Sequence, residues 1–453
     1  MIDTKRPMSR FVDLEKGTIG REIFNDAEIY EQEQERIFAR TWLFVAHESQ
    51  IPNPGDYVLG RMGEEQVIVT RDKQWKVHVL LNSCRHRGNL VCRYDQGNAT
   101  VFTCTFHGWS YDSTGALVAL PFHDGGYNAM DKPAWGLLEA RVELFHGSIW
   151  ANWDHSAPSF VDYLGGCETY LATNFDALDG TEGAIEVVGG IQKWRLTANW
   201  KVPVPDKDRT HAWITHKSVA EIGHGLTGGA NYLFANGQRP AGSGDRQQRK
   251  EYCFSFPEGH TGGVAIPSGE DTGPGLGTVG WADTPIAREW LQHAWEERKK
   301  KMGKMASLYR IGPAIFPNAG FFSGMRIMHP QGPTMMELWT YYFVDRDAPQ
   351  EIKDAILANE VLWTGPGGMT QQDDMENWHN LTQASKGPMA RRLPYNYEMR
   401  LSEPPIHGPT EFGLPGLMTP LLSDENHRRY YQRWAEMMDA PTWDDLPRHP
   451  SAK

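Results

Sequence analysis

The stretch Leu81–Trp109, LNSCRHRGNLVCRYDQGNATVFTCTFHGW, decides how the rest of this sequence is interpreted. It contains Cys84 and His86 with one residue between them, and Cys104 and His107 with two residues between them. A glycine follows closely after each Cys-His pair, and glycine permits the tight turns that surround a metal centre. Two such pairs can therefore bind one metal centre.

The order of the ligand types narrows the choice of metal centre. Zinc fingers usually pair Cys with Cys and His with His, whereas each pair here combines one Cys with one His. This combination fits a Rieske [2Fe–2S] cluster, in which two cysteines bind one iron and two histidines bind the other. We predict that Cys84, His86, Cys104 and His107 bind such a cluster. A zinc-stabilised binding module and loops without metal are the alternatives, and EPR spectroscopy after reduction separates them.

Composition excludes several classes of protein. The 453 residues carry a formal net charge of −12 and no long basic block, which argues against nucleic acid as a partner. Five cysteines, an odd and sparse set, argue against a disulfide framework. The N-terminus lacks the apolar segment of a signal peptide, and no apolar run is long enough to predict a membrane span. We expect a cytoplasmic protein without membrane contact.

The pattern of apolar residues predicts two domains and the fold class α+β. From the turn cluster at 52–55 to about residue 155 the pattern is β, and residues 40–157 are predicted to be an all-β Rieske [2Fe–2S] domain. Residues 1–39 and 158–453 are predicted to form a larger catalytic domain, in which an antiparallel sheet is covered by helices.

Individual elements follow from the same pattern. In the small domain the predicted strands are 66–70 and 76–80, which form a hairpin, and 101–103 and 147–151. In the large domain the predicted strands are 185–188, 193–196 and two within 325–345. The predicted helices are 26–41, which Asp26 caps, 283–310, 348–363 and those that begin near residues 371 and 423.

A second concentration of metal ligands lies at 208–216, DRTHAWITH. In a helix, Asp208 and His211 would share a face, whereas His216 would lie about 140° from His211. A break or π-bulge is needed if both histidines bind one ion. Two histidines and one carboxylate form the site of non-haem Fe(II) oxygenases, and 371–378, QQDDMENW, offers the carboxylate. Two ordinary helix histidines are the alternative.

Together these motifs resemble the large subunits of Rieske non-haem iron aromatic-ring-hydroxylating dioxygenases, and in particular the naphthalene, biphenyl and 3-phenylpropionate dioxygenase branch. The resemblance covers nearly the whole chain. Besides the two Cys-His pairs, it is carried by 34–38 (QERIF), 42–48 (WLFVAHE), 199–201 (NWK), 208–216 and 372–374 (QDD).

The resemblance implies roles for several residues. His211, His216 and Asp374 would bind mononuclear Fe(II), because the family uses the second Asp of the pair. Asp208 matches the family's aspartate that connects the cluster of one subunit to the mononuclear iron of its neighbour in a trimer, for electron transfer. It would hydrogen-bond His211 and also a Rieske histidine, matched here by His107, of the neighbouring subunit.

The sequence departs from the family just before these ligands. The segment between 201 and 211 is slightly shorter than usual, Pro205-Asp206 replaces the common Glu-Asn pair, and Thr210 replaces a tyrosine. Asp206 is therefore a rival for the bridging role of Asp208.

The implied activity is that of a terminal oxygenase, which uses O2 and electrons relayed from NAD(P)H to cis-dihydroxylate an aromatic ring. The chain has no glycine-rich dinucleotide loop, so a ferredoxin, an NAD(P)H-dependent reductase or both would supply the electrons. An alpha-subunit trimer is implied, as α3β3 with a small beta subunit or as α3. A Rieske monooxygenase, which hydroxylates or demethylates an aromatic acid, is the alternative enzyme. A Rieske electron carrier is the non-catalytic alternative, but it would not need the roughly 300 residues that follow.

The resemblance also places five residues in the substrate pocket: Val204, Ala212, Trp363, Thr364 and Thr370. The threonines stand where relatives often have bulkier apolar groups, which indicates a roomier or more polar pocket, for a polycyclic or carboxylated aromatic compound, or simply lineage variation. Two glycine-rich stretches, 236–246 and 267–280, are predicted to form a mobile substrate entrance.

Overall fold

The computed structural model describes residues 7–206, 212–216, 249–267, 284–322, 324–407 and 413–449. The chain divides into two compact units. The small unit is Gln34–Phe160, and the large unit combines Met1–Glu33 with Val161–Lys453. Within the described ranges, no helix has both the length and the apolar character that crossing a bilayer requires.

The small unit consists of three antiparallel sheets of short strands. The predicted hairpin is confirmed, since Glu65–Arg71 pairs with Val77–Leu81. In chain order the strands are Leu43–His47, Asp56–Met62, Glu65–Arg71, Val77–Leu81, Gln96–Asn98, Val101–Thr103, Ser110–Asp112, Leu117–Ala119, Arg141–Phe145 and Ser148–Asn152. Short helical segments are Gln34–Phe38, Glu48–Gln50, His123–Gly126 and Lys132–Trp135.

A nine-stranded antiparallel sheet forms the centre of the large unit, which confirms the predicted α+β class. Its strands are Ile185–Leu196, Arg249–Ser255, Thr261–Pro267, Tyr309–Ile315, Ala319–Phe321, Met325–Pro330, Met336–Asp345, Ile406–His407 and Leu417–Pro420. A small sheet joins Val12–Asp13, Thr18–Ile19 and Tyr395–Asn396.

The two predicted strands at 185–188 and 193–196 are one strand, Ile185–Leu196. Its pairing with Met336–Asp345 shifts register between Val188 and Gln192. Gly189 lies at this irregularity with φ +69°, and a Cβ there would come within 2.7 Å of Leu357. Glycine is therefore required at the bulge, and it interrupts the apolar pattern without ending the strand.

The α-helices of the large unit are Ala27–Glu33, Glu168–Phe175, Ala212–Thr215, Pro285–Met302, Gln350–Thr364, Gln371–Ala384 and Glu425–Asp439. A further α-helix, Phe160–Leu164, begins at the last residue of the small unit and continues in the large one. The cap at Asp26 is confirmed, because its carboxylate accepts from the backbone N–H groups of Glu28 and Ile29. The predicted helix 283–310 is too long. It ends at Met302, because Gly303 takes a positive φ of +54°, and a strand begins at Tyr309.

A buried ion pair anchors the segment that leads to 208–216. Lys201 Nζ lies 2.7 Å from Glu33 Oε1, and both side chains are fully buried. The indole N–H groups of Trp200 and Trp434 donate to the same carboxylate at 2.9 and 2.8 Å. These bonds satisfy the buried charges and tie the 199–201 motif to the first and last helices of the large unit.

Candidate metal centres

Two loops of the small unit hold the Cys-His pairs, and both have the same backbone hydrogen bonds. The N–H of Cys84 donates to the carbonyl of Asn89, and the N–H of Gly88 donates to the carbonyl of Cys84, both at 2.8 Å. The second loop repeats these bonds at Cys104 and Gly108, at 2.8 and 2.9 Å. Both glycines have φ +73°, a region that favours glycine. The two loops therefore present their ligands in equivalent ways.

The predicted cluster ligands are brought together in like pairs. Nδ1 of His86 lies 3.1 Å from Nδ1 of His107. The thiols of Cys84 and Cys104 are within hydrogen-bonding distance of each other and nearly inaccessible to solvent. Two ligands about 2.1 Å from one metal ion and at right angles lie about 3.0 Å apart, so the histidine spacing suits a shared ion.

Local electrostatics favour the ligand forms of these side chains. Burial alone would raise the pKa of Cys104, but hydrogen bonds from the N–H of Phe106, the Asn89 amide and Cys84 outweigh it and lower the pKa. Burial, with the neighbouring His107, also lowers the pKa of His86, which favours the neutral imidazole that binds metals. A pair of cysteines and a pair of neutral histidines is the donor set of a Rieske cluster.

Two predicted iron ligands, His216 and Asp374, meet in the large unit. Nε2 of His216 lies 3.3 Å from Oδ1 of Asp374, and their side chains are only 5% and 9% exposed. Asp374 is in the first turn of Gln371–Ala384, and His216 follows directly after the short helix Ala212–Thr215. The separation again suits two ligands of one ion.

Two predicted members of this site, Asp208 and His211, lie outside the described residues. Within the described part of the chain, no set of three His, Cys, Asp or Glu side chains converges on a single ion. Of the predicted iron ligands, the structure therefore places His216 and Asp374 together. Asp206, the rival for the bridging role, lies close enough to the partly buried Tyr397 to influence its pKa, which desolvation raises.

Sequence analysis gave no role to Asp373. Its carboxylate lies 3.2 Å from Nδ1 of His216, on the side of the ring opposite Asp374. The amide of Asn377 donates to the Asp373 carbonyl at 2.9 Å and lies 3.5 Å from the hydroxyl of Thr215. The DD pair was visible in the sequence, but which residue each Asp faces depends on a partner far away in the chain.

Four of the predicted pocket residues are buried, and the loop 365–370 brings two of them, Trp363 and Thr370, together. Val204, Trp363, Thr364 and Thr370 are all 9% exposed or less, and Ala212 lies in the helix that precedes His216. The Thr370 hydroxyl donates to the carbonyl of Trp363 at 2.8 Å. The Thr364 hydroxyl donates to the carbonyl of Glu360 at 2.9 Å and lies 3.3 Å from the Tyr342 hydroxyl. Protein groups therefore engage both threonine hydroxyls.

A buried cation lies close to these residues. Arg326 is on the strand Met325–Pro330 and only 6% exposed. Burial lowers its pKa, and the negative charge of Asp374, with Tyr342 and Glu360, opposes this effect. No role was predicted for Arg326, because only tertiary packing brings its strand near the helix that carries Asp374. The predicted entrance stretches, 236–246 and 267–280, lie outside the described residues except for Pro267.

Comparison with known proteins agrees with a Rieske donor set of two cysteines and two histidines. Residues 41–132 match the Rieske [2Fe–2S] domain family. The chain is 37% identical over 445 residues to the biphenyl 2,3-dioxygenase alpha subunit of Rhodococcus jostii (strain RHA1), covering 96% of this chain and 92% of that protein. It is 35% identical over 446 residues to the benzene 1,2-dioxygenase alpha subunit of Pseudomonas putida, covering 96% and 94%.

A solved structure shows the same likeness. Naphthalene 1,2-dioxygenase with indole bound in the active site has a TM-score of 0.83 and 28% identity to this chain, covering 98% of this chain and 96% of that one. The likeness therefore spans both units and is not confined to the Cys-His loops.

Proposed function

The chain belongs to the alpha subunits of Rieske aromatic-ring dioxygenases, and on this premise we propose which of its residues carry out the reaction. It is a terminal oxygenase that cis-dihydroxylates aromatic rings with O2 and electrons relayed from NAD(P)H. The [2Fe–2S] cluster supplies single electrons, and the mononuclear iron activates dioxygen. The proposal concerns the residues that hold these groups.

In the small unit, Cys84 and Cys104 would hold one iron of the cluster, and His86 and His107 the other. The paired nitrogens at 3.1 Å and the matching loops support this assignment. In the large unit, His216 and Asp374 would hold the mononuclear iron, with His211 as the third ligand by family resemblance. The single observation that carries the function is the buried His216–Asp374 pair in a chain that also has the cluster loops.

Burial of these two ligands serves the chemistry. Their side chains are only 5% and 9% exposed, so bulk water has little access to the atoms that would bind the iron. Asp208 would accept hydrogen bonds from His211 and from His107 of the partner subunit. It would thereby connect the cluster of one subunit to the iron of the next, in an α3 or α3β3 assembly.

The partners follow from the electron requirement. Relatives include the large oxygenase component of a naphthalene 1,2-dioxygenase system, which points to a multicomponent system here as well. A ferredoxin, an NAD(P)H-dependent reductase or both would deliver the electrons, and a small beta subunit would complete the assembly. The five cysteines, all of which lie among the described residues, form no disulfide, which is compatible with a cytoplasmic location.

The contacts of the two pocket threonines indicate the kind of substrate. Since protein groups engage the hydroxyls of Thr364 and Thr370, these residues offer space rather than free polar groups to a substrate. This favours a larger, apolar aromatic compound over a carboxylated one. Thr364→Phe should then reduce turnover of a polycyclic aromatic more than turnover of a monocyclic one.

The proposed function is tested with isotopically labelled dioxygen, a compatible reductase system and a panel of mono- and polycyclic aromatics and aromatic acids. We expect a cis-diol with both oxygen atoms from one dioxygen molecule, and no product from Asp374→Ala. Glu376→Gln, which removes a charge from the same helix without touching His216, serves as the control. A monohydroxylated product from the wild type would instead support a Rieske monooxygenase.

A further inference from the structure

We propose that Asp373 is a positioning residue, which orients the imidazole of His216 for metal binding. This inference rests on the proposed function, because it takes His216 and Asp374 as ligands of one iron. The two consecutive aspartates then have different tasks. Asp374 binds the metal, and Asp373 holds the other ligand in place.

The geometry of the imidazole separates the two tasks. Nδ1 of His216 lies 3.2 Å from Oδ2 of Asp373, and Nε2 lies 3.3 Å from Oδ1 of Asp374. A neutral imidazole carries one proton. When Nδ1 carries it and donates to Asp373, Nε2 keeps the lone pair that a metal ion requires. The hydrogen bond therefore fixes both the orientation of the ring and the nitrogen that is free to bind.

Burial makes this contact important. The His216 side chain is 5% exposed, so bulk water has little access to its ring, whereas Asp373 is 28% exposed and keeps part of its hydration. A partly hydrated carboxylate can accept the hydrogen bond without the full cost of a buried charge. Asn377 supports the arrangement from the same helix, through the Asp373 carbonyl and the hydroxyl of Thr215.

An acidic residue in the first turn of a helix also has an ordinary explanation, because it interacts favourably with the helix dipole. Asp373 is in the first turn of Gln371–Ala384, so its removal would affect stability in any case. The dipole does not, however, orient the His216 ring. Metal affinity separates the two explanations, since only the positioning role predicts that it changes.

The chain offers a matched control. Glu376 lies in the same helix and carries the same charge, but its carboxylate accepts from Asn380 at 2.9 Å. Glu376→Gln removes one negative charge near the site and leaves the Asp373–His216 contact intact. Asp373→Asn keeps a neutral acceptor, and Asp373→Ala removes the acceptor altogether.

The experiment uses the full chain with its cluster in the oxidised, EPR-silent state, after a chelator has removed the mononuclear iron. Fe(II) affinity is measured by anaerobic equilibrium dialysis, and Co(II) is added to a second sample so that its EPR spectrum reports the ligand geometry. Asp373→Ala should weaken Fe(II) binding by about 10- to 100-fold and change the Co(II) spectrum. Asp373→Asn should have a smaller effect, and Glu376→Gln should match the wild type in both measurements.

Wild-type affinity and an unchanged Co(II) spectrum in Asp373→Ala would overturn the proposal, and so would an equal loss in Glu376→Gln. If Asp373→Ala does not fold, Asp373→Asn decides, and a wild-type result for it in both measurements would overturn the positioning role. Failure of the proposed function gives a different result. Asp374→Ala would then still bind the mononuclear iron, in addition to the two cluster irons, whatever the Asp373 variants do.

Discussion

The proposed cluster ligands and the proposed iron ligands are assembled over very different distances in the sequence. His86 and His107, whose Nδ1 atoms face each other, are 21 residues apart and lie in loops with the same backbone hydrogen bonds. The proposed iron ligand His216 contacts Asp373, 157 residues away, and also its neighbour Asp374, the other proposed ligand. The start of the helix Gln371–Ala384 meets the end of the short helix Ala212–Thr215 at that point. The first centre is fixed by local turns, and the second by the packing of distant elements.

This difference has a consequence for the sensitivity of each centre. The cluster loops are supported by their own backbone, so a change outside them should leave the cluster intact. The iron site depends on separate contacts at each ligand, so single changes in the large unit should abolish turnover without disturbing the cluster. The Asp374 and Asp208 variants separate the two centres because both centres are measured, whereas the glycine and Tyr111 variants concern the cluster alone.

Asp374→Ala should have the largest effect. It removes a ligand rather than a supporting contact, so turnover should fall by more than the roughly 10- to 100-fold that loss of a supporting contact costs. Product formation and iron content per chain are the measurements. The EPR signal of the reduced cluster should match the wild type, and its loss would contradict the independence of the two centres.

Asp208→Asn should have the second-largest effect on turnover. The variant keeps the size of the side chain but removes the charge proposed to connect the cluster and the iron of adjacent subunits. Turnover should fall by at least about 10- to 100-fold, while the cluster signal and the iron content stay unchanged. Asp206→Asn is the matched comparison, and a larger loss in that variant would assign the bridging role to Asp206.

A glycine substitution should have a moderate effect that differs between the two cluster loops. Gly88 and Gly108 share φ +73°, so alanine costs roughly 1–2 kcal/mol of backbone strain at either position. At Gly108 the new Cβ would also lie 3.0 Å from Pro121, whereas at Gly88 the nearest atom is 3.9 Å away. Gly108→Ala should lower the thermal midpoint and cluster content more than Gly88→Ala, and equal losses would contradict the role of Pro121.

Tyr111→Phe should have the smallest effect. The Tyr111 hydroxyl lies 3.4 Å from Sγ of Cys84, and a hydrogen bond to a cluster sulfur stabilises the reduced form. Loss of this hydrogen bond, worth about 0.5–1.5 kcal/mol, should lower the reduction potential of the cluster by about 20–65 mV in a redox titration. Tyr57→Phe is the control, because Tyr57 hydrogen-bonds Cys92, which is not a predicted ligand. An equal shift of the reduction potential in Tyr57→Phe would contradict the role of the Tyr111 hydroxyl.

The sequence was most informative where structure is local. The Cys-His loops, the hairpin and the Asp26 cap depend on residues close together, and all were predictable from spacing and residue type. The helix that ends at Met302 was predicted too long, because apolar residues such as Met305 and Leu308 continue past the Gly303 cap. The single strand Ile185–Leu196 was read as two, because a glycine bulge interrupts its apolar pattern.

The contacts around the iron site were less predictable for the same physical reason. The proposed role of Asp374 came from family resemblance, and spacing alone could not have assigned it. The contact of Asp373 with His216, and the position of Arg326 near Asp374, depend on strand pairing and helix packing over long sequence distances. No local pattern encodes such contacts.

A single-turnover experiment tests the central claim most directly. Oxygenase reduced at both centres and separated from its reductase is mixed with O2 and an aromatic substrate, and cluster oxidation and product are followed together. The wild type should form a cis-diol as its cluster is oxidised, whereas His216→Ala should form none and keep its cluster reduced over the same period. Product from His216→Ala would contradict the claim that the cluster supplies electrons to an iron held by His216 and Asp374.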